Sequence, residues 1–65
     1  MILLNASKVE FVEGESLYDF LRRNNFDPEH VACEVNESLV RRVDFKSFIM
    51  EDQYEVEVFS FVGGG

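Results

Sequence analysis

The sequence holds one cysteine, one proline, one histidine and no tryptophan in 65 residues. A single cysteine excludes an intramolecular disulfide. One Cys and one His fall short of any structural zinc set. Cations are scarce too: six Lys and Arg stand against thirteen Asp and Glu, for a formal charge of −7. Nucleic-acid binding rests on neutralising phosphates, so that class of partner is excluded. No apolar run approaches the ~20 residues that cross a bilayer. The N-terminus lacks the charged and cleavable parts of a signal peptide, and a lone thiol suits a reducing compartment. The expectation is a cytoplasmic protein with no membrane partner.

What is present fits one small domain. A chain of this length buries only about 60% of its unfolded surface, which leaves no room for an enclosed active site. Seven phenylalanines and 46% hydrophobic residues suffice for one core. The acidic excess favours a partner with a basic surface, beside the plainer role of keeping a small protein soluble.

Local patterns divide the chain into short elements. In Met1–Ala6, Ile2 and Leu4 share one strand face and Leu3 takes the other. Asn5-Ala6-Ser7-Lys8 has turn chemistry, and alternation at Val9–Val12 predicts the second arm of a hairpin. Ser16 is a good N-cap, with Asp19 three residues on. Leu17, Phe20 and Leu21 form one helical stripe. Arg22 and Arg23 suit the C-terminal end, and Asn24 or Asn25 suits the left-handed closing residue. A helix is predicted over about Leu17–Asn24, with Phe26 folded back on the core and Asp27-Pro28 ending any continuation.

Val31–Asn36 reads as a strand with Val31, Cys33 and Val35 on one face. Asn36-Glu37 is a turn and Ser38-Leu39-Val40 a brief strand. Residues 41–47 are irregular with one helical turn, anchored by Phe45 and Phe48, and Glu51-Asp52-Gln53 is a polar turn. Tyr54–Phe61 is the longest strand: Tyr54, Val56, Val58 and Ser60 share one face, Glu55, Glu57, Phe59 and Phe61 the other. The order predicts an α+β domain over residues 1–61, with a mixed four- to five-stranded sheet and one helix packed on one face. The other face meets water or a partner. Phe59, Phe61 and Leu3 are the candidate docking residues. The alternatives are an ordinary cross-strand cluster of these side chains, or a strand end that curls and buries one ring.

Residues 62–65 form a tail, Val62-Gly63-Gly64-Gly65. Glycine lacks a Cβ, so three in a row make a thin segment with a reach of roughly 10 Å. Such a tail can enter a narrow channel and present the Gly65 carboxylate. The plain alternative is a disordered end or linker. These glycines, however, follow an apolar strand with no polar spacer. No other part of the chain looks capable of chemistry. An inward cysteine such as Cys33 is usually a small hydrophobe. His30 reads as a surface residue, Glu55 and Glu57 as a solvated strand face.

The order of elements and the tail resemble the ubiquitin-like β-grasp fold. Met1-Ile2-Leu3-Leu4-Asn5, Val9–Gly14, Ser16–Leu21, Val31–Asn36, Leu39–Arg42 and Val56–Gly65 are together similar to the ThiS family, the sulfur carriers of thiamine biosynthesis. Glu37 and Gln53 stand where that family usually has turn glycines, Arg41 where it often has proline and Cys33 where it often has valine. The resemblance implies that an E1-like adenylating enzyme uses ATP to activate Gly65. A sulfur donor such as a cysteine persulfide then leaves a thiocarboxylate there, which thiazole synthase consumes. Gly63 and Gly64 carry the reactive end. It implies no cofactor bound to this chain and no catalysis by its own side chains, so it is a co-substrate and not an enzyme. The neighbouring possibilities are a carrier for another pathway, such as the small subunit of molybdopterin synthase, a ubiquitin-like protein modifier, and a passive interaction module.

Overall fold

The structure, a computed structural model, describes residues 1–60. Five strands form one mixed sheet: β1 (Ile2–Leu4), β2 (Ser7–Val9), β3 (Val31–Val35), β4 (Ser38–Val40) and β5 (Glu55–Ser60). Their spatial order is β2-β1-β5-β3-β4. The last strand is therefore central. It runs parallel to β1 and antiparallel to β3. The helix α1 (Leu17–Arg23) follows the first hairpin, and two single 3-10 turns (Pro28–His30 and Arg42–Asp44) brace the remaining connections.

The helix begins and ends where its sequence says it should. The Ser16 hydroxyl accepts the Asp19 backbone N–H at 3.1 Å, which satisfies one orphan donor of the first turn. At the other end Asn25 takes φ 70°. The Phe26 N–H reaches the Leu21 carbonyl at 2.9 Å and the Asn25 N–H reaches Arg22 at 3.0 Å, the two bonds of a Schellman close. Phe26 is thereby turned back against the core, where it is half-buried. Arg23 grips Glu15 with two N–H donors, Nε at 2.8 Å and an Nη at 2.9 Å, and donates to the Glu10 carbonyl at 2.9 Å. This fork ties the segment before the helix to its last turn.

One sheet face carries the core. Ile2, Leu4, Val31, Cys33, Val35, Val56 and Val58 pack with Leu17, Phe20 and Leu21 of the helix and with Phe45 and Met50. Phe20 has no exposed surface, so Phe20→Ala would cost about 3–5 kcal/mol, most of what a small domain has. Among the described residues no helix is long and apolar enough to cross a membrane.

The first hairpin differs from the sequence expectation. Its turn is Asn5-Ala6 alone, both at positive φ, and β2 starts at Ser7 and ends at Val9. Ile2 faces Val9 and Leu4 faces Ser7. A two-residue loop with both residues left-handed matches the twist of the strands it joins. That geometry shifts the strand toward the turn and leaves residues 10–12 outside the sheet. The strand and turn at Asn36-Glu37, the β4 strand and the turn at Asp52-Gln53 fall where they were expected.

Candidate functional site: the open sheet face and the exit of β5

Strand alternation sends Val56 and Val58 into the core and leaves Glu55, Glu57 and Phe59 on the opposite, open face. The two strands beside β5 contribute the rest of that face. Register places Ala32 opposite Phe59, Glu34 opposite Glu57 and Leu3 opposite Glu55. Lys8 lies beyond Leu3, and Leu39 beyond Glu34.

The face thus has three rows. Nearest the point where the chain leaves β5 are Ala32 and Phe59, and Phe59 is 47% exposed. The next row holds Leu39, Glu34 and Glu57, and the third holds Lys8, Leu3 and Glu55. Rows on one face are two residues apart, about 7 Å. A shallow depression lies among Leu3, Ala6, Glu34, Glu37, Glu55 and Glu57. Among the described residues no ion pair involves any of these glutamates.

The backbone of β5 is pinned at its start and at Val58 by turn asparagines. Asn36 accepts the Glu55 N–H on Oδ1 at 3.0 Å, and its own N–H reaches the Glu55 carbonyl at 2.8 Å. Asn5 accepts the Val58 N–H at 2.8 Å. These bonds hold the β5 backbone between Glu55 and Val58.

The candidates from sequence fall as follows. Leu3 and Phe59 share the open face but stand two rows apart, about 13 Å along the sheet, so they do not form one cluster. Phe61, Gly63, Gly64 and Gly65 lie outside the described residues. Cys33 is fully buried, and burial, with a smaller push from Glu34, raises its thiol pKa to about 12. His30 sits on the surface with Nδ1 2.7 Å from an Asp27 carboxylate oxygen, while Cys33 belongs to the core. No cluster of His, Cys, Asp and Glu suited to a metal occurs among the described residues. Sequence reading missed the opposition of Glu34 and Glu57. Each was visible as an outward residue of its own strand, but only the pairing of β3 with β5 puts them side by side.

Comparison with known proteins gives a consistent answer. A sequence model described as the ThiS family matches residues 2–65. A thiazole synthase from Magnetococcus marinus is 33% identical over 64 residues, 98% of this chain but 20% of that protein, so the chain spans one fifth of that relative. The uncharacterized protein ycf40 of Porphyra purpurea is 34% identical over 64 residues, covering 98% of this chain and 90% of that one. The crystal structure of a thiamine biosynthesis protein (ThiS) from Geobacter metallireducens superposes with a TM-score of 0.76 at 27% identity, over 98% of this chain and 97% of that one. The solution structure of a thiamine biosynthesis protein from the same organism gives 0.77 at 27% identity, over 98% and 86%. The mixed five-stranded sheet with a single helix on one face is the β-grasp fold of those structures. With its sequence pattern matched from Ile2 to Gly65 and its fold shared, the chain belongs to the ThiS family.

Proposed function

We propose that the protein is a sulfur carrier for thiamine biosynthesis and that Gly65 is the atom-bearing residue. The observation that carries this reading is the family match, which runs through the glycine tail to Gly65. The thiazole synthase relative adds the expected receiver of the sulfur.

The chemistry follows from the weakness of a carboxylate as an electrophile. Its negative charge repels nucleophiles, and oxide is a poor leaving group. An E1-like adenylating enzyme would join the Gly65 carboxylate to the α-phosphorus of ATP, releasing pyrophosphate and leaving an acyl-adenylate. The terminal sulfur of a cysteine persulfide attacks the carbonyl carbon, and AMP departs. A thiol then attacks the inner sulfur of the acyl persulfide. That S–S bond breaks, the thiol pair is oxidised to a disulfide, and the carrier leaves as a thiocarboxylate. Thiazole synthase takes the sulfur from it.

The carrier's own contribution is positional. Activation and charge stabilisation belong to the partner's site. This chain supplies a narrow end and a rigid domain that aims it, with β5 central in the sheet and Phe59 exposed beside the exit. ATP is the partner's substrate, and no cofactor is assigned to this chain.

Intact mass of the protein isolated from its native cell tests the reading. A species heavier by the difference between one sulfur and one oxygen, lost on truncation of Gly65, is expected. A ladder of conjugates to other proteins would mark a modifier instead. An unmodified mass under thiamine starvation would overturn the proposal.

A further inference from the structure

Phe59 and Ser60 precede the residues that lead to Gly65, and the sheet supports them from one side only. On the β1 side, strand pairing with β5 ends at Leu4 and Val56, and the bond from Val58 to the Asn5 side chain reaches furthest. Beyond Val58 the one neighbouring strand among the described residues is β3, with Ala32 opposite Phe59 and Val31 opposite Ser60. Whatever holds the start of β3 therefore holds this end of β5.

The start of β3 lacks an outer neighbour of its own. Successive residues of a strand in an antiparallel sheet turn their N–H and C=O groups to alternate sides. The Asn36 N–H bonds the Glu55 carbonyl at 2.8 Å. By alternation Glu34 and Ala32 face β5, while Cys33 and Val31 face the β4 side. But β4 stops at Val40, opposite Cys33. The chain then enters the 3-10 turn Arg42–Asp44, where the Arg41 and Arg42 carbonyls accept the Asp44 and Phe45 N–H groups at 2.8 and 3.1 Å. A side chain stands in for the missing strand. Arg42 donates from Nη2 to the Val31 carbonyl and from Nε to the Pro28 carbonyl, both at 3.1 Å.

We propose that Arg42 is a positioning residue for the reaction at Gly65: its two bonds hold the start of β3, and through Val31 and Ala32 they hold Ser60 and Phe59, from which Gly65 is presented. The inference rests on the adenylation reading above and adds a residue on which that reaction depends. The chain carries thirteen Asp and Glu, yet among the described residues Arg42 makes no ion pair. Its donors go to two main-chain carbonyls instead. Its own anchor is firm, because the turn ends on Phe45, which is buried in the core and whose carbonyl accepts the Tyr18 N–H at 3.0 Å. A guanidinium presents its donors in a fixed planar fork, whereas an ammonium is a point charge on a flexible stem and does not keep that geometry.

Amide hydrogen exchange and pyrophosphate exchange by the activating enzyme of the same cell test this together. Arg42→Ala should speed amide exchange at Ala32 and Phe59 about tenfold more than at Glu34 and Glu57, in the middle of the same pairing. Its kcat should fall about tenfold, while the KM for carrier moves less than about twofold. Arg42→Lys should fall between Arg42→Ala and wild type, and it carries the same comparison if the alanine variant does not fold. Ser16→Ala is the control for stability alone: it removes the helix cap and leaves both Arg42 bonds in place. All variants are assayed where urea curves show them folded, and the control should keep the wild-type kcat. Unchanged protection at Ala32 and Phe59, lost protection with an unchanged kcat, or an equal loss of kcat in the control overturns the positioning role. Wild type that supports no pyrophosphate exchange overturns the adenylation reading and the role of Arg42 in it, while amide exchange still shows whether Arg42 holds this end of the sheet.

Discussion

The side-chain carbonyl of Asn5 accepts a hydrogen bond from the backbone N–H of Val58 at 2.8 Å, across 53 residues of sequence. Pairing between β1 and β5 ends at Leu4 and Val56. The Asn5 N–H then bonds the Val56 carbonyl at 2.8 Å, and its amide oxygen takes the Val58 N–H, the next donor of β5 on the β1 side. The side chain extends the ladder one step past the point where β1 turns away. The same residue holds φ 47° in the two-residue turn. Two roles meet at one position, and glycine separates them.

Asn5→Gly should keep the turn and lose the bond. A lost hydrogen bond of this kind costs about 0.5–1.5 kcal/mol. Amide exchange should accelerate at Val58 more than at Val56, because the loss falls at the exit end of β5. Unchanged protection at Val58 would show that the bond does not hold the strand there.

Glu37 and Gln53 sit at φ 70° and 73°. A left-handed backbone costs a residue with a Cβ roughly 1–2 kcal/mol, while glycine in a folded chain gives up about 0.5–1 kcal/mol through its freer unfolded state. Glu37→Gly and Gln53→Gly should each move the urea midpoint upward, by up to about 1 kcal/mol of stability. A lowered midpoint for either would mean its side chain contributes to the fold in a way its exposed position hides.

These two positions also show what was legible in the sequence. Their departure from the family's glycines was visible, and the structure explains why glycine suits them. The helix was legible at both ends because its signals are local: Ser16 with Asp19, and Asn25 before Phe26. So was the inward set Val31, Cys33 and Val35, which needs only period-two alternation. The first turn was read two residues too long: Ser7 and Lys8 were counted in it, whereas it closes at Ala6, which takes φ 70°. The parallel pairing of β1 with β5 joins opposite ends of the chain, and no local pattern encodes it. The separation of Leu3 from Phe59 and the meeting of Glu34 with Glu57 depend on that pairing and its register. They could not be read before it.

Cys33 should be inert in the folded protein. Its side chain has no exposed surface and its thiol pKa is pushed up to about 12. On that value the thiolate at pH 8 is about one part in ten thousand, and the thiolate is the reactive form. Iodoacetamide at pH 8 should label the protein only as fast as it unfolds, with the rate rising in step with urea. Rapid labelling without denaturant would place this thiol on an accessible surface. It would also open a route by which the carrier's own cysteine could intercept activated Gly65, which burial otherwise closes.

Gly64→Ala is the most direct probe of the reactive end. A methyl group at this position thickens the chain next to the activated carboxylate and closes backbone conformations that only glycine reaches freely. If the partner's channel is narrow enough to align Gly65 with the α-phosphorus of ATP, that added bulk misplaces the reacting oxygen, and displacements of about 1 Å are enough to slow a reaction by about a hundredfold. The described sheet and core draw on residues 1–60 alone, so the thermal midpoint should match wild type. Pyrophosphate exchange should fall by about a hundredfold or more, and the loss should appear in kcat because residues 1–60 are unchanged. Exchange at the wild-type rate would mean that the penultimate glycine is not there for passage into the channel, and that the domain alone sets the alignment.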